Sequence, residues 1–155
     1  REYGIDPLER HSVEEVMSAA PEAIDAGMPI GEVAERYFGV DQRHRAYPVT
    51  QEGTVIGMLD RAALLRAGAA AVAVRELFGV NAPVVALRGE TCRTVAIRLA
   101  VHGLERLPVV ADAGARMLVG VISRSDLIKS SLSLDEEENT RHRFRRIKGF
   151  NSPAA

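Results

Sequence analysis

Ser123 and Asp126 have the types and the spacing for ligand chemistry. They lie in Gly120-Val121-Ile122-Ser123-Arg124-Ser125-Asp126-Leu127-Ile128. The apolar run from Leu118 to Ile122 reads as a short buried strand that breaks off at Ser123, a favourable helix N-cap. Asp126 then falls in the first helical turn. This order aims free backbone N–H groups, a hydroxyl and a carboxylate at one small volume, which suits phosphate and sugar hydroxyls. A second reading stands beside it: Ser-x-x-Asp is a capping box that satisfies its own helix and binds nothing.

Other reactive side chains are scattered. His11, His44, His102 and His142 fall on a loop, a turn, a helix end and the tail, without metal-ligand spacing. No histidine falls on a predicted element adjoining Ser123, so no nucleophilic triad can be placed there. A phosphate-binding glycine loop is also missing, and the sequence points away from an enzyme. The single cysteine, Cys92, excludes an intramolecular disulfide, fits a reducing compartment, and reads as a small buried hydrophobe on a helix.

Composition narrows the partners. Twenty Lys and Arg against 21 Asp and Glu leave a net charge of −1, with no global pull toward nucleic acid or an anionic membrane. Tryptophan is absent and aromatics make up 5%, which argues against base-stacking surfaces. No signal peptide is visible. The longest apolar run, Ala67 to Val74, is far short of the about 18 residues that span a bilayer. At 155 residues the chain can bury about 70% of its unfolded surface. It begins at Arg1 rather than methionine, which hints at a piece of something larger.

The elements that must position Ser123 and Asp126 run the length of the chain. Residues 1–11 read as an extended lead-in. Ser12-Val13-Glu14-Glu15 is a capping box opening a short helix through Met17, and Ala23-Ile24 suggests a short strand. Ile30, Val33, Ala34, Tyr37 and Phe38 make an amphipathic helix ended by Gly39. Two apolar runs, Ala46 to Val49 and Val55 to Leu59, flank Gln51-Glu52-Gly53 as a hairpin. Asp60 caps a helix from Arg61 to Arg66, and the alanine-rich segment Ala67 to Ala73 reads as a link.

The same order then recurs. Val74 to Phe78 parallels Val13 to Met17, and Val84 to Leu87 reads as a clearer strand than Ala23-Ile24. Val95, Ala96, Leu99 and Ala100 line a helix ended near Gly103. Leu107-Pro108-Val109 repeats Tyr47-Pro48-Val49, and Gly120 to Leu127 aligns with Gly57 to Leu64. Two β-α-β-β-α units of about sixty residues result, at 12–70 and 71–131. Neither sheet face is large enough to bury alone, so the copies are expected to pack sheet against sheet with pseudo-twofold symmetry. Residues 132–155 differ: a capping box at Ser133 to Glu136 and acid followed by arginines predict a charged, solvated C-terminal helix.

These residues resemble a tandem pair of CBS domains over about Ser12 to Ser131. The resemblance implies an α/β fold, pairing of modules into a homodimer, and clefts that hold AMP, ADP, ATP or S-adenosylmethionine. It also implies a regulatory attachment rather than a catalyst, with no metal. A narrower similarity joins Ser123 to Lys129, Ser131-Leu132 and the charged stretch Asp135 to Arg146 to the cytosolic tails of bacterial chloride channel proteins. It implies a cytoplasmic location beneath an attached membrane channel or transporter.

Carried over by position, the resemblance implies that Ser123 binds phosphate and Asp126 accepts from both ribose hydroxyls, with Arg124 and Ser125 in the same turn. Val84, Val85, Leu107 and Pro108 would form the apolar slot for adenine. Arg106 stands open between reaching the phosphates and being a solvated strand-edge charge. In the first repeat Asp60 replaces Ser123 and Ala63 replaces Asp126. A carboxylate about 4 Å from phosphate is opposed by roughly 4 kcal/mol at an effective dielectric near 20. The first cleft is therefore expected to be structural and the second to be the nucleotide cleft. The competing expectation is a structural dimerisation module with no ligand.

Overall fold

The computed structural model describes residues 6–68 and 72–132. Helix α1 (Pro7–Arg10) precedes α2 (Val13–Val16), β1 (Ser18–Ala19), β2 (Ile24–Asp25), α3 (Ile30–Tyr37), β3 (Ala46–Gln51), β4 (Thr54–Asp60) and α4 (Arg61–Ala67). A 3-10 turn (Val74–Leu77) leads to β5 (Ala86–Leu87), α5 (Cys92–His102), β6 (Arg106–Val110) and β7 (Leu118–Ser123). A final helix, α6, covers 124–132. The strands form a three-stranded sheet, β2-β3-β4, and a four-stranded sheet, β1-β7-β6-β5. In each, a two-residue strand runs parallel to the first strand of an antiparallel hairpin. The sheets meet through β4 and β6. Val55 on β4 and Val110 on β6 are both fully buried.

The two repeats exchange their opening segments. Val13, early in the chain, is buried with Ala86, Cys92, Val95, Leu99, Leu107 and Ile122 of the second repeat. Val74 is buried in return with Ile24, Val33, Tyr47, Val49 and Leu59 of the first. Backbone bonds repeat the exchange. Val13 N–H donates to Glu90 O (2.9 Å) and Cys92 N–H to His11 O (2.9 Å). Their counterparts are Val74 N–H to Met28 O (2.9 Å) and Ile30 N–H to Val72 O (3.3 Å). Strand β1 then adds antiparallel to β7, pairing Ala19 with Gly120. Glycine is required at that crossing, because a Cβ at Gly120 would strike Met17 Sδ and stand 2.9 Å from the Ser18 carbonyl oxygen. Gly57 has the matching role under the ring of Phe78.

Several local expectations are corrected. The lead-in is not wholly extended: Asp6 accepts from Leu8 N–H (3.0 Å), Pro7 starts α1, and Arg93 on α5 pins Asp6 at 2.6 Å. The stretch Val84 to Leu87 is no clearer a strand than its counterpart, since both contribute two paired residues. The Val85 carbonyl, outside the paired residues, accepts instead from Arg98 Nη1 (3.0 Å). Val74 to Leu77 is a 3-10 turn rather than an α-helix, capped by Glu76 accepting from Val72 and Ala73 N–H (2.9 and 2.8 Å). The charged C-terminal helix and residues 69–71 of the link lie outside the described residues.

The loop from β5 to α5 is fastened by one ion pair. Arg98 meets Glu90 through two parallel bonds of 2.6 Å, with side chains 27% and 20% exposed. Glu90 also accepts from Leu87 N–H (2.7 Å). The Arg98 guanidinium, ahead of the Leu87 N–H, holds the Glu90 carboxyl below its ordinary value of 4.5. A carboxyl depressed in the folded state stabilises fully above its unfolded value and stops doing so as pH falls through the folded one. Glu90→Gln is expected to lower unfolding free energy by about 1.5–3 kcal/mol at pH 7. In urea titrations the gap to wild type should close progressively as pH drops below 4.5.

Candidate functional site

The site is built from the end of β7 upward. Ser123 Oγ accepts the Asp126 N–H (3.1 Å), and Asp126 Oδ2 accepts the Ser123 N–H (3.0 Å). The capping box is thus real and reciprocal. It does not exhaust its groups. Asp126 Oδ1 has no hydrogen-bond partner among the described residues, and the Ser123 hydroxyl lies 3.0 Å from that of Ser125. Arg106 pairs with Ser123 across the β6–β7 ladder. Directly opposed side chains leave their strands about 4.5–5.5 Å apart, so Arg106 and Ser123 share a face.

All four residues, Arg106, Ser123, Ser125 and Asp126, line a cleft of about 440 Å³. Its other wall comes from the first repeat. One part is the segment from Ser18 to Glu22, which β1 brings across to β7. Ala20 takes the left-handed backbone region (φ 47°), where the chain leaves β7 and turns into Pro21-Glu22. The other part runs from Arg43 to Pro48. Its anchor is Tyr47, 2% exposed and packed edge-on to Tyr37 and Phe38 at centroid distances of 5.0 and 5.5 Å. The Tyr47 hydroxyl accepts the His44 N–H (3.2 Å), and Gln42 Nε2 donates to the His44 carbonyl (2.8 Å). Gln42 is bonded in turn to Arg61 on α4. A buried aromatic cluster and a polar strap therefore fix where Arg43, His44 and Arg45 stand.

The structure brings together four of the nine site residues expected from sequence. Arg124 is exposed, reaches Glu105 at 3.5 Å, and is not part of the cleft wall. Val84, Val85, Leu107 and Pro108 do not line it either. Leu107 is 1% exposed inside the second core, Pro108 is buried, Val84 packs on that core, and the Val85 carbonyl serves Arg98. Apolar lining comes instead from Pro21, Ala46, Pro48 and Val121. The signal for this was present in the repeat itself: Tyr47-Pro48 is the counterpart of Leu107-Pro108, and the exchange puts the first repeat's copy on the cleft.

His44 is a second correction, because it lines the cleft that holds Ser123 and Asp126. It makes no nucleophilic triad. Among the described residues His44 bonds through its backbone, its ring faces Tyr47 at 5.4 Å, and Asp126 is engaged with Ser123 N–H. Elsewhere, burial and then the charge of Glu15 raise the Cys92 thiol, which opposes thiolate formation. No group of three or more His, Cys, Asp or Glu gathers at metal-binding spacing among the described residues.

The first repeat supplies the contrast. Asp60 caps α4 by accepting the Ala63 N–H (2.8 Å), so the cap is intact. Ala63 stands where Asp126 would be, and Ala46, paired with Asp60 as Arg106 is with Ser123, stands in place of the arginine. All three ligand-type groups are missing at these equivalent positions.

A family model described as CBS domain matches residues 13–70 and 74–133. No curated protein matches. Among solved structures, CBSX2 in complex with AMP superposes with a TM-score of 0.68 at 19% identity, over 81% of this chain and 98% of that one. The CBS domain of the bacterial CNNM/CorC family Mg2+ transporter in complex with ATP gives 0.66 at 18%, over 81% and 89%. The CBS domain pair of protein MJ0100, with 5′-methylthioadenosine and S-adenosyl-L-methionine, gives 0.62 at 21%, over 77% and 94%. At such identities the likeness is one of fold, but the family match spans most of the sequence. The chain belongs to the CBS domain family and carries two CBS domains in tandem.

Proposed function

We propose that this CBS pair is a regulatory module that binds an adenosine nucleotide in the cleft between Ser123–Asp126 and Arg43–Pro48. One observation carries the reading: the second repeat's capping box leaves Asp126 Oδ1 and the Ser125 hydroxyl beside Arg106 in the cleft. The first repeat has Asp60, Ala63 and Ala46 at the equivalent places. Asp126 Oδ1 accepts from the ribose hydroxyls. Arg106, the serine hydroxyls and the first-turn N–H groups of α6 meet the adjacent phosphate. Pro21, Pro48 and Val121 flank the base. A volume of about 440 Å³ is of the size that ligand pockets have. Solved CBS structures with AMP and with ATP support the ligand class.

Because the two walls belong to different repeats, a ligand with unequal affinity for two wall arrangements shifts their populations. The output goes to an attached membrane transport protein, with the module on its cytoplasmic side. The similarity of Ser123 to Arg146 to chloride channel tails supports this, as does a transporter among the structural neighbours. Among the described residues no helix is long and apolar enough to cross a membrane. A homodimer is the working assembly. Leu65 on α4 and Ile128 on α6, at equivalent positions, are 74% and 60% exposed. Sedimentation equilibrium should give twice the chain mass, and a monomer at micromolar concentration would remove that assembly.

A structural pairing module without ligand is the alternative, favoured by the loss of ligand groups in the first repeat. Isothermal titration separates the two. Wild type is expected to bind AMP or ATP, and Asp126→Ala to weaken the affinity about tenfold or more. Asp60→Ala removes the equivalent helix cap, costs about 0.5–2 kcal/mol of stability, and should leave affinity within about twofold. No binding by wild type at millimolar nucleotide would sink the sensor reading.

A further inference from the structure

We infer that Arg43 and Arg45 make the cleft selective for adenosine compounds bearing two or more phosphates, a preference that rests on the nucleotide reading above. Three guanidiniums line the cleft, those of Arg43, Arg45 and Arg106, against two carboxylates, Glu22 and Asp126. None of the three arginines forms an ion pair among the described residues. Their placement across the cleft is divided. Arg106 shares the Ser123 wall, beside the ribose acceptor, and suffices for the phosphate next to the sugar. Arg43 and Arg45 belong to the opposite wall, on the loop held by Tyr47 and Gln42. A chain of phosphates running on from the sugar presents charge to both walls.

The internal repeat again acts as a control. Tyr47-Pro48 aligns with Leu107-Pro108, so Arg43-His44-Arg45 aligns with Gly103-Leu104-Glu105. The second copy of this loop has no cation and one acid, yet it leads into an equivalent strand. The fold does not need arginine there. The copy of the loop that carries arginines lines the cleft with Ser123 and Asp126. Cationic loop and ligand-type cap thus occur in the same cleft. That pairing also predicts discrimination against uncharged and cationic adenosines, which gain nothing from Arg43 and Arg45.

The test is titration of the full chain with ATP, AMP and 5′-methylthioadenosine, for wild type and for the double variant Arg43→Gln/Arg45→Gln. Both side chains are exposed, and thermal unfolding of the variant checks that the fold is kept. Wild type is expected to bind ATP at least about tenfold more tightly than 5′-methylthioadenosine. The variant should lose about tenfold or more for ATP and less than about threefold for AMP. The salt dependence of ATP binding should also become shallower. Equal ATP affinity in wild type and variant would overturn the assignment of the loop while leaving the nucleotide cleft standing. If wild type bound none of the three compounds, the cleft reading and this one would fall together.

Discussion

Each repeat buries the first turn of the other. Val13 fills the second core and Val74 the first, and the backbone around them donates into the turn before the partner's central helix. A unit of about sixty residues has too little core to be stable alone. Here neither core is complete without a residue from the other repeat. The exchange also fixes the path of the chain beyond each turn. Met17 must pass over β7 and Phe78 over β4, which is why both strands carry a glycine at their crossing point. The glycines that mark the repeat in the sequence are therefore consequences of the exchange.

The cleft arises from the same constraint. With β1 paired antiparallel to β7, the chain leaving Ala19 runs on to Val119, where Ala20 N–H donates to its carbonyl, and Pro21 and Glu22 follow as part of the cleft wall. The short parallel strands leave the other side open. Strand β2 meets β3 only at Val49 and Thr50, so Ala46 to Pro48 project beyond it. Proline is tolerated at position 48 for this reason, since its missing N–H falls where the parallel neighbour has not begun. The cleft is a gap that sheet pairing leaves at the end where the helix cap stands.

Much of this was legible in the sequence because it is local. The amphipathic helix at Ile30 to Phe38, the hairpins, the caps at Ser12, Asp60 and Ser123, and the repeat order depend on neighbouring residues and match the observed elements. The exchange is not local, and it is why Val84, Val85, Leu107 and Pro108, expected beside Ser123, do not line its cleft. Placing Val84, Val85, Leu107 and Pro108 in the cleft supposes that each repeat builds its own. Their first-repeat counterparts, around Pro21 and Pro48, hold that place. His44 enters for the same reason, carried to Ser123 by tertiary packing that no spacing rule contains. The strand at Val84 to Leu87 is short for a different reason than the exchange: only Ala86 and Leu87 find partners on β6, and the Val85 carbonyl is turned to Arg98 on α5.

The two repeats cap equivalent helices in different ways. An N-cap needs one acceptor for one N–H, and the Asp60 carboxylate supplies it alone. In the second repeat the task is divided between a hydroxyl and a carboxylate, each accepting one bond. An ionised carboxylate has about four acceptor positions, so Asp126 retains capacity after capping. The helix is secured in both repeats, and only one has groups to spare. The walls beside that cap are anchored in turn, Ala20 to Val119 of β7 and Arg43 to Arg45 through Tyr47 and Gln42.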